Sequence, residues 1–361
     1  MDLNVVLPLA SSLLSFVFAV FLLDQWRERR RPYQLVWTIG MLWYGISAGT
    51  EFLGGAFGWG EALYRVWYLV GAVWVAGWLG LGTVLLLAKT RFGYAFAVSL
   101  GLAGLFTYLS WVRYQYPDSG AAPLIYSGIA LVLAIATIVM TYRRDERWPN
   151  LAAAVVVVGS AIAAVMMATV PLAPGSYVDP ATHIPTGQLL PGYLRLLTPF
   201  FNVTGAFALT FGALYSAYVF MPKKRVIRYS LGGDGSTAGG GGTVIGGRRA
   251  ASRWRTVAML PVAAVAIVVN FVASLPGAVF DLVRGRLHSR VPATILIAVG
   301  GLIPAITSGA NRFGETSGFF VGELLGVVFL FLGFLVSVEV FREFRVPFTR
   351  IVLRARRVEA A

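Results

Sequence analysis

The chain contains no cysteine in 361 residues. That excludes disulfides, thiolate metal sites, palmitoylation and thiol catalysis, and it leaves the redox compartment undetermined. Histidine is almost as scarce, with only His183 and His288. Facing His pairs for a bis-His haem are therefore excluded, and Asp179 with His183 is too small a set to hold a metal ion. No HExxH, GxSxG or paired intramembrane carboxylates stand in the sequence, so the expectation is no enzyme activity, no cofactor and no metal.

Charge is also sparse. Charged residues make up 13% of the chain against 57% hydrophobic residues, with a mean hydropathy of +0.73. An ordinary soluble domain of this length cannot have such a composition, so the class is an all-α polytopic integral membrane protein. The formal charge of +14 sits in short clusters at the ends of apolar runs. Clusters so placed set membrane topology and contact anionic lipid head groups; they do not form a nucleic-acid-binding face.

The first apolar run, Val5 to Leu23, follows an acidic start and precedes Arg27, Arg29, Arg30 and Arg31. A cleavable signal peptide has the reverse order, so this run is expected to stay, with its N-terminus outside. Further spans fall at 33–57, 65–88, 92–113, 122–142, 151–171 and 196–220, giving a seven-helix unit over 1–221. Basic residues mark alternate connections, with Lys89 and Arg91, then Arg143, Arg144 and Arg147, then Lys223, Lys224, Arg225 and Arg228 on the inner side. Trp26, Tyr33 and Trp37 at one interface, with Trp59, Tyr64, Trp67, Trp111 and Tyr114 at the other, supply aromatic belts.

A Gly/Arg-rich stretch follows at 222–255, with nine Gly between Gly232 and Gly247 and then Arg248, Arg249, Arg253 and Arg255. It reads as a cytoplasmic linker; a phosphate-cradling loop needs a Lys-Ser/Thr pair after the glycines and a strand before them. Residues 256–341 form a second membrane unit, in which helices at 292–310 and 319–341 follow an ambiguous segment at 256–290. If that segment crosses, for ten spans in all, the thirty Lys and Arg divide eighteen to twelve; if it turns back near Pro276 and Gly277, they divide twenty-six to four. The positive-inside rule favours nine spans plus one re-entrant or interfacial hairpin. The basic tail 342–361, with Arg354, Arg356 and Arg357, is then cytoplasmic. Arg29, Arg30, Arg31, Arg248 and Arg249 join that tail as expected anionic-lipid contacts, in a plasma or inner membrane.

Ionisable groups within apolar spans are costly and ask for a partner or a purpose. Glu51 and Arg65 flank the turn near Trp59 and are expected to pair as a clasp between the second and third helices; the alternative makes Glu51 a proton or cation site. Glu323 has no Lys or Arg in its own span; Asn311 and Arg312 are its candidate partners, and Asn202, Thr204 and Asn270 are the other polar groups at depth. A sharper reading gathers Glu323, Asn270 and Asn202 around a polar cavity. Gly45, Gly49, Gly71, Gly77, Gly80, Gly326 and Gly333 allow close helix contact. Trp67, Trp74 and Trp78, at helical spacing, are candidates to line a pocket. The Pro-rich loop from Val170 to Arg195 is stiff enough to cap the outer face.

On Trp37, Trp43, Tyr44 and Glu51, followed by Tyr64 to Leu87, residues 1–221 resemble the seven-helix membrane-sensing modules that precede bacterial signalling domains. The chain departs from them in having more membrane helices where the soluble output domain would stand. Microbial rhodopsins are excluded because the seventh helix, Leu196 to Phe220, has no Lys for a retinal Schiff base. Three functions remain: a ligand-binding or sensing membrane protein; a transporter or channel using Glu323, Asn270 and Asn202; and a structural or assembly subunit with membrane-protein partners.

Overall fold

The computed structural model describes residues 2–221, 224, 226–227, 260–284, 290–312, 318–336, 343–345, 347–349 and 352–355. Arg248, Arg249, Arg356, Arg357 and nearly all of the linker lie outside the described residues. Helices α1 (Leu3–Arg29), α2 (Pro32–Phe57), α3 (Glu61–Leu86), α4 (Gly93–Tyr114), α5 (Ala122–Tyr142), α6 (Trp148–Thr169) and α7 (Leu197–Phe220) come first. Then follow α8 (Leu260–Val283), α9 (Arg290–Arg312), α10 (Phe319–Val336) and a short antiparallel ribbon of β1 (Glu343–Arg345) and β2 (Val352–Ala355).

Local chemistry sets several helix ends. The Asp2 side chain accepts from Asn4 N at 2.9 Å and caps α1, which stops at Arg30 in the left-handed region. Pro32, Pro123 and Pro149 open α2, α5 and α6, where a missing N–H costs nothing. Among the described residues, eight helices are long and apolar enough to cross a membrane, which is the architecture of a multi-pass membrane protein. Leu131, Val132, Ile135, Val158, Ile162 and Val165 are exposed on α5 and α6, an apolar surface suited to lipid. Helix α2 falls outside that group of eight. It is as long as the others, but it turns Gln34, Thr38, Ser47, Thr50 and Glu51 inward, all buried, between α1 and α3.

The last two helices are built into the first seven. Helix α9 packs along α7 and α10, while α10 returns to α1 and α2, where Trp37 and Phe334 meet edge-on at 4.8 Å. Helices α2, α3, α7, α9 and α10 thus form a ring, with α1 bridging α2 and α10 outside it. One end of the ring is closed by an apolar core that includes Phe18, Leu22, Trp37, Met41, Leu79, Leu209, Ile297 and Phe334. At that same end the ribbon reaches α1: Phe348 N donates to Asp24 Oδ1 at 3.0 Å, and Arg27 lies over the Phe348 ring.

Helix α8 corrects the expected hairpin. No turn forms at Pro276–Gly277; the helix runs through Pro276 to Val283. Proline removes one backbone donor, and Ser274 Oγ, donating to Asn270 O at 2.6 Å, adds a bond in the turn just before it. Ala278 packs against Met221 and Val291, the end of α7 and the start of α9. Asn270 Oδ1 accepts from Val226 N and Ile227 N at 2.9 Å each, and Ser274 Oγ accepts from Lys224 N at 2.9 Å. The inward face of α8 is therefore held at the end of the bundle where α7 stops and α9 begins.

Candidate functional site

Inside the ring lies a cavity of about 640 Å³. Tyr44, Ser47 and Glu51 reach it from α2, Trp67 and Tyr68 from α3, Thr198 and Asn202 from α7, Pro304 and Ser308 from α9, and Phe319 and Glu323 from α10. Its mouth is formed by Tyr116, Arg195 and the Pro-rich loop at Asp179, Thr182 and Gln188, at the end opposite the apolar plug. That volume is typical of a pocket for a small molecule.

Helix α3 shapes one wall by an irregularity. From Tyr68 to Trp74 it is a π-helix, wider than an α-helix by about one residue per turn, a feature frequent at functional sites. The widened stretch places Tyr68 and Gly71 on the cavity, and the Tyr68 hydroxyl accepts from Thr198 Oγ1 at 2.9 Å, tying α3 to α7. The neighbouring turns are anchored. Tyr64 OH donates to Thr186 O at 2.6 Å, fastening the loop over the mouth, and Ile184 in that loop packs on Phe319 and Phe320. The loop thus caps this end of the bundle, as its prolines suggest.

The expected Glu51–Arg65 pair is not formed. Arg65 turns to Glu61, at 2.6 Å, and donates to the carbonyls of Met167 and Val170 at the end of α6. Four hydrogen bonds to three acceptors at the helix ends, Glu61 Oε1 and the Met167 and Val170 carbonyls, satisfy the guanidinium fork better than one carboxylate at depth. Glu51 instead accepts from Trp67 Nε1 at 2.8 Å, and its carboxyl group lies within hydrogen-bonding reach of that of Glu323. Tyr44 OH donates to Glu323 O at 2.8 Å and locks α2 to α10 beside the pair. The sequence showed no paired intramembrane carboxylates because these two stand 272 residues apart; the fold makes the pair.

Two carboxylates offer only acceptors, so a bond between them requires a proton or cation. Glu51 is 2% exposed, and the Oε2 atoms of Glu51 and Glu323 find no hydrogen-bond partner among the described residues. A buried acceptor left unmade costs free energy, which a bound proton or cation would recover. Asn202 lines the same cavity, as expected. Asn270 does not: its amide is spent on residues 226 and 227 at the end of α7. Trp74 and Trp78 are also diverted, donating to Ser160 O and Ser160 Oγ on α6 at 3.3 and 3.2 Å. The side chains of Asn311 and Arg312 lie outside the described residues.

Tyr68, Thr198, Arg195 and Ser308 were not singled out from the sequence as site residues, and Tyr44 entered only through the resemblance to sensing modules. Tyr44 had a signal, since it stands seven residues before Glu51 and so shares its helix face. Arg195 stacks over Tyr116, 4.2 Å from the ring centroid, and makes no salt bridge among the described residues. His183 is exposed and sits apart from any group of three metal-ligating side chains among the described residues. Neither a family model, nor a curated protein, nor a solved structure matches the chain.

Proposed function

We propose that this is a ligand-binding membrane protein whose ring cavity admits a small solute from the end capped by the 170–195 loop. The single observation that carries this reading is the 640 Å³ cavity, walled by aromatic and polar side chains with Glu51 and Glu323 among them. In the membrane we place nine spans, α1 to α7 with α9 and α10. Helix α8 lies along the inner face, its exposed Val268, Val272 and Val279 in the lipid boundary. The Arg-rich end, where the ribbon meets α1, faces the cytoplasm of a plasma or inner membrane and contacts anionic lipid. The cavity mouth then faces outward, as a receptor for external solutes requires. The resemblance of residues 1–221 to sensing modules agrees with this assignment.

The absence of cysteine makes the test direct. Ser308→Cys puts one thiol on the cavity wall, and Ala298→Cys puts one in the apolar plug, where Ala298 is 2% exposed. A small neutral thiosulfonate added outside should label the first and spare the second. In a panel of neutral, anionic and cationic solutes, those that slow this labelling should also raise the unfolding temperature. Equal inertness of both thiols would refute an open cavity.

A carrier is the second reading. It is favoured by two helix irregularities on the cavity wall, the π turns of α3 and Pro304 inside α9, because broken helices line transport pathways. Solute flux into liposomes that Glu323→Gln abolishes would support it over simple binding.

A further inference from the structure

We propose that the occupant of this cavity is a small organic monocation, an amine or quaternary ammonium, which binds at Glu51 and Glu323 in exchange for a proton the two carboxyl groups share. This rests on the cavity reading above and adds the class of ligand and its coupling. Three observations converge. The two carboxyl groups lie within hydrogen-bonding reach of each other, and two carboxylates bond only through a proton or cation held between them. The Oε2 atoms of both remain unpartnered, and Glu51 is 2% exposed. The walls beside them are the aromatic rings of Tyr44, Trp67, Tyr68 and Phe319, the surface that a weakly hydrated ammonium prefers.

The groups facing the pair are neutral donors. They are Tyr44 from α2, Trp67 and Tyr68 from α3, Asn202 from α7 and Ser308 from α9. The charged side chains of the lining stand at the mouth, Asp179 and Arg195, one of each sign. Among the described residues, no Lys, Arg or His lines the cavity at the depth of the pair to neutralise it. The exchange balances: a hydrogen-bonded acid and carboxylate plus one ammonium ion give two carboxylates, the bound ammonium and one proton released to solvent. Cation affinity must then rise with pH until the proton no longer competes.

The test uses the full-length Ser308→Cys protein and two thiosulfonates of similar size, one bearing a trimethylammonium and the other a sulfonate. Each rate is divided by that reagent's rate with 2-mercaptoethanol, so thiol ionisation cancels in their ratio. At pH 8 the cationic reagent should lead by on the order of tenfold. The lead should shrink toward unity at pH 5.5 and vanish in Glu51→Gln/Glu323→Gln. In parallel, tetraethylammonium added to unmodified protein in weak buffer at pH 7 should release protons in a saturable way, approaching one per chain. That measurement needs no variant to fold. Labelling by the neutral reagent with no cation preference at either pH, and no proton release, overturns the cation assignment while the cavity stands. Failure of the neutral reagent itself removes the cavity, and this inference with it.

Discussion

Trp67 holds Glu51 through one bond, Nε1 to Oε1 at 2.8 Å. Trp67→Phe keeps an aromatic ring there but deletes the donor, and the loss of a bond to a buried acidic group should lower stability by about 1–3 kcal/mol. Thermal unfolding in detergent would show it as a lower midpoint. A double-mutant cycle separates the partners further. Glu51→Gln with Arg65→Gln should be additive within about 0.5 kcal/mol, whereas Glu51→Gln with Glu323→Gln should be strongly non-additive. The depth argument itself was legible in the sequence. Glu51 stands eight residues before Trp59, and the residue eight after it is Trp67. Arg65 drew the pairing because opposite charges attract on paper; in the fold it finds backbone carbonyls nearer the surface.

Among the elements, α3 and α7 cross with backbone close to backbone. A Cβ on Gly80 would stand 2.6 Å from Gly205 Cα, and one on Gly205 would overlap the Ala76 carbonyl. Gly205→Val should therefore push the helices apart and cost about 1–3 kcal/mol or more, read as a lower unfolding temperature and loss of the Tyr68–Thr198 bond nearby. Gly80 was visible as a small residue on a helix face, but Gly205 was not, because only the packing tells which glycine meets backbone. Helix boundaries were the most legible feature: 122–142 was expected and Ala122–Tyr142 is found. Pro276 misled for a physical reason. It signals a break in isolation, yet a helix docked by Asn270, Ser274 and Ala278 tolerates it. Arg284, just beyond α8, should accordingly be reachable as Arg284→Cys by an impermeant reagent from the same side as Arg29→Cys. Reaction from opposite sides would make α8 a span.

For the whole molecule, the ring is the decisive object, since it draws three members from before the Gly-rich stretch and two from after it. Cutting the chain within 232–247 and co-expressing the halves should give a complex that co-purifies and still labels at Ser308→Cys. Halves that insert but never associate would contradict the ring. The composition change at the linker invites a division into two membrane units. The packing that joins Tyr44 to Glu323 runs across that division and has no local sequence signal.

The π turns of α3 have a consequence for register. One α-helical residue corresponds to about 100° of rotation, so the wide stretch between Tyr68 and Trp74 shifts the phase of one half of the helix against the other. Above it, Tyr64 and Trp67 face the loop and Glu51; below it, Leu79 and Gly80 face Trp37 and Gly205. Closing the stretch to regular α-helix at its present length would satisfy one set of neighbours only by turning the other away. The third helix thus behaves as two cogs on one shaft, set at an offset that both the mouth and the plug depend on.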